Sequence, residues 1–250
     1  MTSPSTQLPP PGRLAATGAG LSHRGRVREL NEDAILVDPA GALWAVADGV
    51  GGHGHGDLAA DLVIDALARL PHAGNGRALL AEGFASAHAE VRRRARAERL
   101  GPIGATAVAA LIDGRRATVA WAGDSRGYRL RAGVLTRLTR DHSVVQELID
   151  DGVLTEAEAE GHPQGHVVTR AVGAGERADP SFADVDLETG DWLLLCSDGL
   201  TRCVTEPEIA GALAAAADPD TACRALIEAA LAAGAPDNVS AVVVRIGGLP

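Results

Sequence analysis

Apolar and polar residues along this chain alternate in short runs whose period switches between that of a strand and that of a helix, and the switches mark out its elements. Strand-like runs cover residues 19–22, 34–37 and 43–47. Two helical stretches follow: residues 58–70, stopped by Pro71, and residues 78–99, whose last turns carry a basic face that suits the negative end of a helix dipole. Strands with short turns come next, at 106–112, 118–122, 127–131 and 134–138, with Asp113-Gly114 and Ala132-Gly133 as turn signals. Residues 141–166 are polar and acidic and read as a flap outside the core, with short helices at 144–150 and 156–160. Strands near Val168, Phe182 and Trp192, alanine-rich helices at 206–217 and 221–233, and a closing strand at 239–246 complete the pattern.

Strand clusters separated by helix pairs, with hairpin signals between neighbours, predict an α+β fold in which mainly antiparallel sheets carry helices on their outer faces. Strict βαβ alternation is missing, and no G-x-G-x-x-G opens a helix after the first strand, so a dinucleotide-binding fold is disfavoured. Residues 1–13 are rich in Pro, Ser and Thr and are expected to form a disordered tail. Residues 14–250 are expected to form one domain, since 250 residues at 46% hydrophobic content suffice for a single generous core.

A formal net charge of −10 argues against nonspecific attraction to nucleic acid or anionic lipid, and accommodates carboxylate-rich metal sites. No apolar run approaches the length that spans a bilayer, and the expectation is no membrane partner. Cys196, Cys203 and Cys223 have no paired spacing and no secretory leader precedes them, which points to free thiols in a reducing cytoplasm. All 23 basic residues are arginine. The lack of lysine excludes a Walker phosphate loop, a protein-kinase ATP site and Schiff-base catalysis, each of which needs a lysine amine.

Two segments are alike: LWAVADGVGG at 43–52 and DWLLLCSDGL at 191–200, each an apolar strand running into Asp-Gly. A strand buried on both faces has no use for a terminal carboxylate, so Asp48 and Asp198 are expected where the sheet meets solvent or a cation. In APDNVSAVVV, Asp237 and Asn238 stand just before the closing strand. If that strand runs antiparallel to the other two, its start lies beside their ends. Carboxylates gathered there would raise one another's pKa unless a cation neutralised them. Mg²⁺ or Mn²⁺ fits such oxygen ligands, and Gly49 could bend the backbone to offer its carbonyl. Glu32 and Asp33 in VRELNED and Asp124 in WAGDSRGY add further acids, and Arg28 could clamp a phosphate dianion.

These segments give the chain its resemblance to a known family. R-x-x-N-E-D at 28–33, A-D-G-V-G-G-H at 47–53, G-A-T-A at 104–107, G-D-S-R at 123–126, C-S-D-G-L at 196–200 and P-D-N-V-S at 236–240 follow the order found in the metal-dependent protein phosphatases of the type 2C serine/threonine family. The chain resembles the compact bacterial branch of that family. The resemblance implies a four-layer α-β-β-α sandwich with two central sheets flanked by helix pairs, plus the flap. It implies hydrolysis of phosphoserine and phosphothreonine in proteins, the products of serine/threonine kinases, by a water activated between two Mg²⁺ or Mn²⁺ ions. It further implies that Asp48 bridges the two ions, that the Gly49 carbonyl binds the second, and that Asp198 and Asp237 complete the first. Glu32 and Asp33 would act through bound waters, Arg28 would hold the substrate phosphate with help from Asn238, and Asp124 would join Asp198 at a third ion.

Two positions depart from the family pattern. Val50 stands where animal members carry a histidine proposed as general acid, which leaves His53 as a candidate proton donor, and His166 takes the place of a flap serine near the third ion. Three other readings compete. Cys196 to Arg202 has the C-x5-R spacing of cysteine phosphatases, but Asp198 inside the loop would repel phosphate. HGHGD at 53–57 matches part of a zinc hydrolase motif of the metallo-β-lactamase type, with Leu58 at the final ligand position. A degenerate phosphatase fold serving only to bind phosphoproteins is the third; retention of every candidate ligand argues against it.

Overall fold

The computed structural model describes residues 14–51, 54–159 and 161–247, so the tail at 1–13 and His53 lie outside the described residues. Two five-stranded antiparallel sheets form the centre. The first joins β1 (Ala15–His23), β10 (Val239–Gly247), β9 (Trp192–Cys196), β6 (Arg126–Arg131) and β7 (Val134–Arg137) in that order. The second joins β2 (Asp33–Val37), β3 (Leu43–Val50), β4 (Gly104–Asp113), β5 (Arg116–Ala122) and β8 (Ser181–Asp186).

Side-chain alternation along these strands divides the interior into three apolar layers. In β3, Leu43, Ala45 and Ala47 face the helices α1 (Gly56–Ala68) and α2 (Gly76–Glu98), while Trp44 and Val46 face the opposite sheet. In β10, Val243 and Ala241 pack with α7 (Pro219–Ala232) and α6 (Glu206–Ala215), while Val242, Val244 and Ile246 enter the space between the sheets. The order of layers is helix, sheet, sheet, helix, as expected from the sequence.

Local signals start the helices. The Asn75 side chain accepts a hydrogen bond from the Ala78 N–H at 3.1 Å, Thr205 and Glu208 form a capping box, and Asp218 accepts from the Thr221 N–H at 2.8 Å with Pro219 following it. Strand β1 is longer than its apolar pattern predicts. Gly18 lies against the Trp44 ring, where a Cβ would come within 2.7 Å, so close packing there removes the side chain that would have signalled a strand. Val168, read as part of a strand, makes only an isolated bridge to Ser143. That bridge closes the base of the flap, which carries α3 (Val144–Asp150) and α4 (Glu156–Ala159).

Candidate metal centre

The layer between the sheets is apolar along most of its length and turns polar at one end. Asp33 and Asp48 are directly opposed in the β2–β3 ladder, and Thr106 opposes Asp48 from β4. All three point, by strand parity, to the same side as Ile35, Val46 and Val108, which face the other sheet. From that sheet come Ser197, just past β9, and Ser240, in β10. Like charges directly opposed across a strand pair repel, so Asp33 and Asp48 make sense only with positive charge or protons between them.

Asp33 is almost fully buried. Its Oδ2 accepts hydrogen bonds from the Ser197 hydroxyl at 2.8 Å and the Ser240 hydroxyl at 2.6 Å, which ties one sheet to the other. Its Oδ1 is buried and has no partner. Burial pushes the Asp33 carboxyl up to about 7 despite the two hydroxyls, with Asp198 and Asp237 adding repulsion. Burial likewise pushes Asp124 up to about 7, with Asp198 and Asp141 adding to it. Asp48 is raised well above the usual carboxylate range by burial and then by Asp33, Asp198, Asp124 and Asp237. Burial also raises Asp198, which opens the short helix α5 (Asp198–Thr201) instead of ending the strand before it.

Arginines meet the outer carboxylates. Arg202 Nη2 lies 2.5 Å from Asp198 Oδ2, and its Nη1 lies 4.0 Å from Asp237 Oδ2. Arg28 donates from Nη2 to Asp237 Oδ2 at 2.9 Å and remains half exposed. With Asp198 and Asp237 turned to these guanidinium groups, no three acidic, imidazole or thiol side chains among the described residues form a finished metal cage. The donor set nevertheless fits a hard divalent cation: it is all oxygen, it is charge-crowded, and the Asp33 Oδ1 is left unsatisfied.

Asn238 and Glu32 shape the rim. The Asn238 Oδ1 accepts from the Glu32 N–H at 2.8 Å, and its Nδ2 donates to the carbonyls of Leu30 at 2.8 Å and Arg24 at 3.0 Å. Asn238 therefore holds the Arg28–Glu32 segment over the strand ends. Glu32 Oε1 accepts from the Gly56 N–H at 2.9 Å, which anchors the start of α1. The two Asp-Gly pairs need their glycines for close approach. A Cβ on Gly49 would sit 2.3 Å from the Gly56 carbonyl, and one on Gly199 would sit 1.9 Å from the Asn238 oxygen. Gly49 is in extended backbone inside β3, so packing against α1, not a bend, is what requires it.

His166 lies on the exposed flap, close enough to Asp198 to offset a small part of the upward shift that burial gives that carboxyl. Cys196 is fully buried on the helix side of its sheet, and burial pushes its thiol up to about 12, the reverse of an activated nucleophile. Sequence reasoning gave no role to Ser197 or Ser240, and weighed Arg202 only within the C-x5-R spacing. Ser240 continues the two-residue alternation of β10 that the closing strand displays, and Arg202 stands four residues after Asp198, the spacing of a helical ion pair.

The pattern of the protein phosphatase 2C family matches residues 22–148. The serine/threonine protein phosphatase PstP of Mycobacterium tuberculosis is 42% identical over 233 residues, which cover 91% of this chain and 44% of that protein. The chain thus spans less than half the length of that relative. The serine/threonine phosphatase Stp of Listeria monocytogenes is 33% identical over 89% of this chain and 92% of its own length. The structure of the PstP catalytic domain in complex with two manganese ions superposes with a TM-score of 0.85, at 37% identity, covering 94% of this chain and 99% of that one. A likeness that embraces both sheets and the strand ends where the acids gather leaves one conclusion: the chain belongs to the protein phosphatase 2C family.

Proposed function

We propose that this protein hydrolyses phosphoserine and phosphothreonine esters in proteins with the help of two divalent cations, Mn²⁺ or Mg²⁺. The observation that carries the reading is the set of aspartates 33, 48, 124 and 198 at the open end of the two sheets, each raised by burial first and then by a neighbouring aspartate. Such a set gains most from cations and least from being left alone. The manganese-bound relative and the phosphatase relatives support the same reading.

In this proposal Asp48, Asp198, Asp237 and the Gly49 carbonyl hold the two ions, Glu32 and Asp33 steady their outer sphere, and Asp124 serves a third. The ions supply the positive charge and acidity that make water a nucleophile at neutral pH. Arg28, half exposed beside Asp237, offers its guanidinium fork to the phosphoryl oxygens and orients the ester. Asn238 supports substrate binding by fixing the segment that carries Arg28. Val50 brings no imidazole to the site, so the leaving oxygen takes its proton from water or from a residue outside the strand ends.

Residues 14–250 are proposed to act as one catalytic domain, with products of serine/threonine kinases as substrates. Among the described residues no helix is long and apolar enough to cross a membrane, and the three cysteines are free, which suits a reducing cytoplasm. The test is hydrolysis of a phosphothreonine peptide with and without Mn²⁺ by wild type, Asp48→Asn and Asp198→Asn. Wild type should be active only with the metal, and both variants should lose at least about a hundredfold. Equal activity in all three would overturn the proposal.

A further inference from the structure

The segment 171–176 separates the metal centre from a second, basic cavity. On one side it touches the strand ends: Ala105, opposite Gly49 in the ladder, forms a β-bridge with Val172. Asp48 opposes Thr106, one residue further along β4, about 3.4 Å on. On its other side the same segment leans on α2. The Gly173 N–H donates to His88 Nδ1 at 3.0 Å, and Arg92 donates to the Gly175 carbonyl. Between them lies a cavity of about 440 Å³ lined by His88, Arg92, Arg93, Arg96 and Glu176.

The electrostatics of this cavity differ from those of the rest of the molecule. The chain as a whole carries −10, yet this stretch of α2 and its end bring Arg92, Arg93, Arg94, Arg96 and Arg99 against Glu90 and Glu98. Glu90 holds Arg93 and Glu98 pairs with Arg94, whereas Arg96 makes no ion pair among the described residues. His88 is about nineteen-twentieths buried. Because its Nδ1 accepts from Gly173, its ring proton resides on Nε2, which is buried against the Glu176 backbone and closes the cavity floor. An open cavity lined by Arg92, Arg93 and Arg96, in which Arg96 has no ion-pair partner among the described residues, suits an anion.

We infer that this cavity is an accessory anion site, which takes a second phosphate group of the polypeptide whose phosphoester is being hydrolysed. The inference rests on the phosphatase reading above for what occupies the centre. The shared segment 171–176 places the two sites on one end of the molecule, within reach of a single extended peptide at about 3.3 Å per residue. A doubly phosphorylated protein would thus be held by one phosphate while the other is cleaved, and multiply phosphorylated segments become preferred substrates through effective concentration.

The test compares one phosphothreonine peptide with a set that carries a second phosphothreonine five to ten residues away. The enzymes are Mn²⁺-loaded wild type and the variants Arg96→Ala and Arg93→Ala/Arg96→Ala, all exposed positions outside the metal centre. In wild type at least one spacing should lower KM about tenfold, the effect of one charge-assisted contact. The variants should lose that gain while hydrolysing p-nitrophenyl phosphate as wild type does. Binding is read in parallel by anisotropy of labelled peptides bearing non-hydrolysable phosphonates, which reports on the cavity even if no ester is cleaved. If phosphonate number does not affect affinity in wild type, or if the preference survives in both variants, the inference fails. Inorganic phosphate added as competitor separates sources: if free phosphate at physiological levels abolishes the preference, the cavity serves the free ion and the polypeptide reading is wrong.

Discussion

Asp33→Asn should stabilise the metal-free protein while impairing the metal-loaded one. The Asp33 carboxyl sits near 7 in the fold against an ordinary 3.8, because it is buried and faces other acids. Folded protein therefore binds this proton more tightly than unfolded chain between those two values, and stability falls as pH rises through that window. Roughly three pH units at about 1.4 kcal/mol each give a penalty of about 4 kcal/mol once the group is ionised in the fold. Sharing of protons among neighbouring acids reduces what one substitution recovers, so about 2–4 kcal/mol is expected at pH 8. Asparagine keeps the shape and an acceptor for the Ser197 and Ser240 hydroxyls, and removes the charge. For a chain of this size the gain corresponds to about 4–15 °C in Tm. Thermal unfolding followed by circular dichroism in EDTA, at pH 4 and pH 8, reads it directly. The variant should match wild type at pH 4 and exceed it at pH 8, and excess Mn²⁺ should then favour wild type. A variant no more stable than wild type at pH 8, or equally favoured at both pH values, would refute the argument.

Arg28→Ala should leave stability within about 1 kcal/mol, since the pair with Asp237 is exposed, yet cut kcat/KM for a phosphopeptide by about a hundredfold; unchanged steady-state kinetics would remove Arg28 from the site. Gly199→Ala forces a Cβ to 1.9 Å from the Asn238 oxygen, a backbone atom that cannot rotate away, and should cost more than about 3 kcal/mol in a urea titration. Iodoacetamide at pH 8 should spare Cys196 and Cys223, whose thiols burial pushes up to about 12, and leave activity intact, as peptide mapping and assay of the treated protein would reveal; loss of activity with Cys196 alkylated would revive a thiolate mechanism.

The layer order and most helix positions were legible because they rest on short apolar runs bounded by turns, as in β3, β4 and β10, and on local stops such as Pro71 after α1. Strand ends were less so. The apolar run at 43–47 stops where Asp48 begins, but backbone pairing reaches Asp48 on the β2 side and continues to Val50 on the β4 side, because a ladder needs no apolar side chains once its neighbours are fixed. The acids Asp33, Asp48, Asp124, Asp198 and Asp237 stood out as charges at the ends of buried runs. What the sequence could not display were contacts between distant segments: Ser197 and Ser240 on Asp33, Asn238 on the Leu30 and Arg24 carbonyls, Arg202 on Asp198. Gly49 was recognised as necessary, although its reason, the Gly56 backbone lying against it, depends on how α1 docks.

Asp33 and Asp48 belong to one sheet and Asp198 and Asp237 flank strands of the other, with the Ser197 and Ser240 hydroxyls reaching across to Asp33. Cations bound among them would act as rivets through a seam, so the pitch of one sheet on the other and the grip on the ions become a single mechanical variable. A partner that twisted the sandwich even slightly, far from the rim, would loosen or tighten the centre without touching any of its ligands.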